Sequence, residues 1–113
     1  MTVSPANEDP DALGAVQGLL QQGEVAKALE TLNGLADTAK SSAMGQYMRG
    51  VCLRLTQDFT NAESALRQLV DSNPSYGRGF QELGHLYRDA NMPIEALNAY
   101  ATACHLNPGL KAS

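Results

Sequence analysis

Tryptophan is absent, and aromatic residues make up only 5% of the chain. A core with so few rings has to be aliphatic and alanine-rich, which favours closely packed helices. Positive charge is also scarce. Eight Lys and Arg face twelve Asp and Glu, for a net charge of −4. Nucleic-acid binding runs on clustered Lys and Arg, so this balance argues against it. It argues, with less force, against docking on an anionic membrane. No run of about 18 apolar residues is present, so no segment is expected to span a bilayer. The opening stretch MTVSPANEDPDALG has neither a basic start nor an apolar core, and does not read as a secretion signal. Cysteine is limited to Cys52 and Cys104, far apart and in no Cys-x-x-Cys pair. They read as two small buried apolar residues in a reducing, cytoplasmic setting; a structural disulfide is the alternative.

What is present is self-similarity. At 113 residues the chain has room for one domain. Sliding it by 34 residues lays Gly50 on Gly84, Leu53 on Tyr87, Ala62 on Ala96, Leu66 on Tyr100 and Pro74 on Pro108. A slide the other way takes Ala62 to Ala28, Leu66 to Leu32, Leu69 to Leu35 and Leu53 to Leu19. Three units follow, about 9–42, 43–76 and 77–110, with a flexible lead-in over 1–8 and a tail over 111–113.

Each unit reads as two helices, expected near 11–22, 24–38, 43–56, 59–71, 77–90 and 93–106. Phe80, Leu83, Leu86 and Tyr87 recur at helical spacing. Asn91 can take the left-handed conformation that ends a helix, and Gly23 does the same in the first unit. Pro93 suits the first turn of the next helix, and Asp58 suits an N-cap. The last helix is expected to carry Ala96, Leu97, Tyr100, Ala103 and Cys104 on one side. Gly50 and Gly84 cost about 1 kcal/mol each against alanine inside a helix. That cost is tolerated if the missing side chain lets the paired helix, with its own small Ala62 or Ala96, come close. Tyr87 and Tyr100 would then fill the space between successive pairs. One pair cannot bury both faces, so the units are expected to stack.

This order of residues resembles the tetratricopeptide repeat. The third unit matches at Phe80, Leu83, Gly84, Tyr87, Ala96, Tyr100, Ala103 and Pro108. The second keeps Gly50, Leu53, Ala62, Leu66, Leu69 and Pro74; the first keeps Leu19, Ala28, Leu32 and Leu35. The resemblance implies an all-α, right-handed solenoid of three antiparallel helix pairs, used as a scaffold that binds a protein or peptide on its concave face. Mapped here, that face takes Leu13, Gln17, Leu20 and Gln21 from the first unit. It takes Met44, Tyr47, Val51 and Arg54 from the second, and Arg78, Gln81, His85, Arg88 and Asp89 from the third. An apolar anchor near Tyr47 and an acidic contact near Arg54 and Arg88 are expected; the other reading is a merely solvated helix face. One subset of the family clamps the C-terminal carboxylate of heat-shock chaperones with Lys and Asn. Of the corresponding positions Leu13, Gln17, Met48, Arg78 and Glu82, only Arg78 agrees.

No chemistry is expected of this chain itself. His85 and His105 are the only histidines, and Cys104 and His105, being adjacent on a helix, point about 100° apart. The close cysteine spacing of a zinc site is missing. Gly77 and Gly79 around Arg78 lack the Lys-Ser/Thr of a phosphate loop. Met44 and Met48 read as packing residues. Catalytic residues, metal and cofactor are therefore all expected to be none.

The C-terminal edge reads as open. Little follows Pro108, so parts of Leu86, Tyr87 and Leu106 are expected to be uncovered, and wet apolar surface favours association. Either a second copy packs there, giving a homodimer, or the chain is the N-terminal piece of a longer protein. The stretch GRGFQELGHLYRDANMPIEALNAYATACHLNPGLKAS is similar to the N-terminal repeat regions of bacterial repeat-containing sulfotransferases, in which a catalytic domain follows. That similarity implies a module that recognises and positions a protein substrate for a larger transferase. A bare structural spacer is the third reading.

Overall fold

The structure, a computed structural model, describes residues 12–108. The expected lead-in over 1–8 and tail over 111–113 lie outside the described residues. Among the described residues the regular structure is entirely helical. The helices are α1 (Ala12–Gln21), α2 (Val25–Asn33), α3 (Asp37–Lys40), α4 (Ala43–Leu55), α5 (Phe59–Ser72), α6 (Gly77–Asp89) and α7 (Pro93–Leu106). Helices α1 and α2, α4 and α5, and α6 and α7 pack as consecutive pairs. Helix α4 lies against both α1 and α2, and α6 lies against both α4 and α5.

The turn inside each pair is the same turn. Gly23, Gln57 and Asn91 stand 34 residues apart, and all three have positive φ, at 79°, 67° and 64°. The next residue's N–H reaches back to the helix in each case: Glu24 to Leu19 O at 2.9 Å, Asp58 to Leu53 O at 2.8 Å, Met92 to Tyr87 O at 2.7 Å. A second bond runs from Gly23 to Leu20 O, from Gln57 to Arg54 O and from Asn91 to Arg88 O. These paired bonds around a left-handed residue satisfy carbonyls that the helix end leaves open. The following helices start with little side-chain help. Asp58 accepts from the Asn61 N–H at 3.5 Å, and Pro93 sits in the first turn of α7, where its lack of an N–H costs nothing.

The second helix is shorter than its sequence implies. It stops at Asn33 instead of running to 38: the Gly34 N–H makes the last bonds back to Glu30 O and Thr31 O, and the backbone is extended by Ala36 before α3 begins. Leu35 still reaches the core, at 7% exposed, although its counterpart Leu69 does so from within α5. The one-turn α3 then leads into α4, where Ser42 caps by accepting from the Gly45 N–H at 3.0 Å.

Two apolar clusters form the core. One holds Val16, Ala28, Leu32, Leu35, Met48 and Cys52; the other holds Leu66, Leu69, Leu83, Leu86, Tyr87 and Ala96 among others. Tyr47 packs against both. Each fully buried leucine contributes roughly 2 kcal/mol. Gly50 and Gly84 do permit close approach. A Cβ on Gly50 would lie 2.5 Å from Leu66 Cγ, and one on Gly84 would lie 2.5 Å from Tyr100 Cδ1. The group that fills each gap is thus the large residue one turn beyond Ala62 or Ala96. Leu66 and Tyr100 therefore pack within a pair, and Tyr100 is not a spacer between pairs.

Helix α7 departs from expectation on its apolar side. Ala96, Ala99 and Ala103 are buried, but Leu97 is 69% exposed and Cys104 is exposed too. Seven alanine, leucine and cysteine positions spread around this helix, and only a stripe of alanines fits against α6. Of the three residues expected at an open edge, Leu86 and Tyr87 are buried and Leu106 is exposed; Ile94 and Leu97, on the same helix as Leu106, are exposed further still.

Candidate partner-binding face

The first helices of the last two pairs, α4 and α6, lie side by side. Two groups of side chains cross between them. Near the start of both helices, the Tyr47 and Tyr76 rings meet edge-on with centroids 6.2 Å apart. Burial raises the Tyr47 hydroxyl above its ordinary pKa and Glu82 adds to that, while the Arg78 guanidinium beside it pulls the other way. Arg78 is exposed. This corner offers an apolar ring surface with a cation at its rim.

Further along, Arg54 bridges the helices. Its Nε donates to Glu82 Oε2 and its Nη1 donates to Asp89 Oδ2 at 2.8 Å. Glu82 is only 3% exposed, the one buried charged residue among those described. A carboxylate there needs a charged donor, because an unpaired buried charge is costly. Burial pushes Glu82 above the usual carboxylate range, and Arg54 offsets only part of that. Burial also pushes Asp89 up, but hydrogen bonds from Arg54 and Arg88 outweigh it and hold the group below its ordinary value. Arg54 is therefore an internal tie: its side chain is 13% exposed and both its contacts are intramolecular.

His85 lies between this network and α7. Its Nδ1 is 2.7 Å from the Tyr100 hydroxyl, with the rings edge-on. Burial lowers its pKa, and the positive charges of Arg54 and Arg88 lower it further. Arg88 is exposed and bonds Asp89 at 3.2 Å. It borders an apolar hollow of about 330 Å³ lined also by Asn91, Pro93, Ala96, Leu97 and Tyr100.

The remaining residues expected on this face are spread along it. Leu13 is half-buried and packs against the N-terminal cluster; Gln17 is exposed on α1. Met44 is 39% exposed on α4, while Val51 and Gln81 are half-buried. Sequence reasoning missed Tyr76 and the structural part of Glu82. The signal for Glu82 is its place three residues after Gly79 and four before Leu86, at the edge of the buried side of α6, where a charge requires a partner. A separate cleft of about 540 Å³ opens between α3, α4 and α5, lined by Lys40, Gln46, Arg49 and Asn61 among others, and none of the residues expected to bind lines it.

The arrangement is suited to noncovalent recognition by rings, guanidinium groups and an apolar hollow. Among the described residues no group of three or more His, Cys, Asp or Glu could hold a metal ion, and no helix is long and apolar enough to cross a membrane. Compared with models of known protein families, the chain matches none, and no curated protein matches it.

Proposed function

We propose that this chain is a tetratricopeptide-like solenoid of three helix pairs with right-handed curvature, serving as a scaffold that binds a segment of a partner protein along α4 and α6. The observation that carries the reading is the turn repeated at Gly23, Gln57 and Asn91, with its backbone bonds recurring 34 residues apart. The placement of α4 on α1 and α2, and of α6 on α4 and α5, supports the same stacking. The glycine contacts of Gly50 with Leu66 and of Gly84 with Tyr100 repeat at the same interval.

The binding part of the proposal rests on two cation-plus-apolar stations. One is Tyr47, Tyr76 and Arg78; the other is Arg88 beside the hollow at Tyr100. Ten residues of α6 separate the two arginines, about 15 Å along the helix. An extended segment covers that distance in about five residues. The fitting ligand is an extended peptide with two acidic side chains about five positions apart and apolar residues beside them.

A displayed library of random peptides, panned against the full chain, tests this. Selected sequences are expected to show that acidic spacing, and Arg78→Glu or Tyr47→Ala is expected to abolish their enrichment, while Gln68→Ala on α5 leaves it intact. Enrichment of unrelated sequences, or selection unaffected by Arg78→Glu, would overturn the proposal.

A further inference from the structure

Helix α7 carries a seam that no described helix covers. Ile94, Leu97, Ala101 and Cys104 follow one another at steps of three, four and three, the spacing of a heptad seam between paired helices. All four are exposed, Ile94 at 71% and Leu97 at 69%. At 100° per residue they fall within an arc of about 80° on the side of α7 away from buried Ala96, Ala99 and Ala103.

The earlier pairs show what such a seam receives. Thirty-four residues before Leu97, Ala101 and Cys104 stand Glu63, Arg67 and Val70 on α5. Those three are where α6 sits. Tyr87 donates to Glu63 Oε2 at 2.7 Å and accepts from Arg67 at 3.0 Å, and a Cβ on Gly79 would lie 2.8 Å from Val70. The same seam on α2 meets α4 through Asn33, whose side-chain oxygen accepts from Arg49 at 2.5 Å. Both internal junctions thus hold a polar anchor. On α7 the anchoring positions are Leu97 and Ala101, with nothing polar to offer the next helix of such a series.

The pattern of sizes fits another partner. In an antiparallel helix pair, seam positions meet at a constant sum of residue numbers. With a second α7, Ile94 faces the partner's Cys104 and Leu97 faces the partner's Ala101, so each large side chain meets a small one. No charge lies on the seam to oppose itself across a two-fold axis. We propose that α7 is a self-association surface, on which a second copy of this chain packs its own α7 antiparallel, in that register.

Two heptads per copy place this contact at the small end of specific interfaces, on the order of 1,000 Å² in total. Association is accordingly expected at micromolar concentrations and above. Sedimentation equilibrium on the full chain, from about 1 to 500 µM, should show the mass rising from 12.0 kDa towards twice that value. Leu97→Glu alters a side chain already exposed in the single chain, so the fold is retained, as circular dichroism verifies, and the mass stays monomeric. The register has its own readout. Ile94→Cys places a thiol against the partner's Cys104, and mild oxidation should yield a disulfide-linked dimer; within one chain these positions are about 15 Å apart and cannot bridge. In the wild type the two Cys104 residues lie at opposite ends of the seam and should not cross-link. A monomer at every concentration, a dimer that survives Leu97→Glu, or wild-type cross-linking as fast as that of Ile94→Cys would each overturn the proposal.

Discussion

Arg54 on α4 and Glu82 on α6 are joined by a charge-assisted hydrogen bond that ties one helix pair to the next, and Glu82 has almost no contact with water. Removing one partner strands the other's charge. Arg54→Ala is expected to destabilise the fold by about 3 kcal/mol, as breaking a buried pair typically does. Replacing both, Arg54→Met with Glu82→Leu, should recover most of that loss, since an apolar pair has no charge to desolvate. Urea unfolding of the two variants checks the order. A double variant as unstable as Arg54→Ala would mean that the ion pair is not what the site requires.

The glycines give a graded series. A Cβ at Gly18 would enter open space, meeting nothing beyond its own turn of helix, so Gly18→Ala should gain up to about 1 kcal/mol from helix propensity. Gly84→Ala meets the Tyr100 ring, which can shift, and should lose about 1 kcal/mol net. Gly45→Ala meets the carbonyl oxygens of Ala39 and Lys40, backbone that cannot move aside without breaking the entry to α4. It should be the least stable of the three. Thermal melts that rank Gly45→Ala above Gly84→Ala would contradict these contacts.

Gln57 occupies the left-handed position that Gly23 and Asn91 hold in the other pairs. A residue with a Cβ and no local side-chain bond loses about 1 kcal/mol or more there. Gln57→Gly should therefore raise the urea midpoint, by up to about 1 kcal/mol in stability. The same change at exposed Gln68, inside α5, should lower it by a similar amount.

Gln57 also marks where the sequence stops being readable. Gly23, Asp58, Asn91 and Pro93 announce helix ends through their own local chemistry, and the structure places each as that chemistry requires. Gln57 has no such preference; only its register with Gly23 and Asn91 gives it away. The early end of α2 was hidden because Leu35 keeps its core contact after leaving the helix. Leu97 and Cys104 misled because α7 is apolar around most of its circumference, so periodicity alone could not tell its buried stripe from its exposed seam. Arg54 read as a surface cation because the carboxylate that neutralises it lies 28 positions away on another helix.

His85 makes stability depend on pH. Its folded pKa lies below the ordinary 6.5, chiefly from burial and then from Arg54 and Arg88, so the fold favours the neutral ring. That contribution is fully present above 6.5 and is lost as pH falls through the folded value. Asp89, also lowered, acts in a separate window, below its ordinary 3.8. Urea midpoints at about pH 7.5 and pH 5 should fall further for the wild type than for His85→Gln, which cannot titrate. Equal falls would remove His85 as the cause.

The two cysteines should differ sharply in reactivity. Cys52 is fully buried, and that burial pushes its thiol up to about 11 despite the nearby charge of Arg49. Thiolate is the reacting form, so at pH 8 only about one molecule in a thousand presents it, and the packing of Met48 and Leu32 around it bars the reagent as well. Cys104 is exposed on α7. Titration with a disulfide reagent at low micromolar protein, where the chain is expected to be single, should therefore show one fast thiol and one that reacts at least about 100-fold more slowly. Cys104→Ala should abolish the fast phase, and Cys52→Ala should leave it unchanged. Adding urea to the unfolding midpoint and beyond should bring the slow thiol to the rate of the fast one. If both react rapidly in the native protein, the cluster around Cys52 opens far more readily than its packing allows.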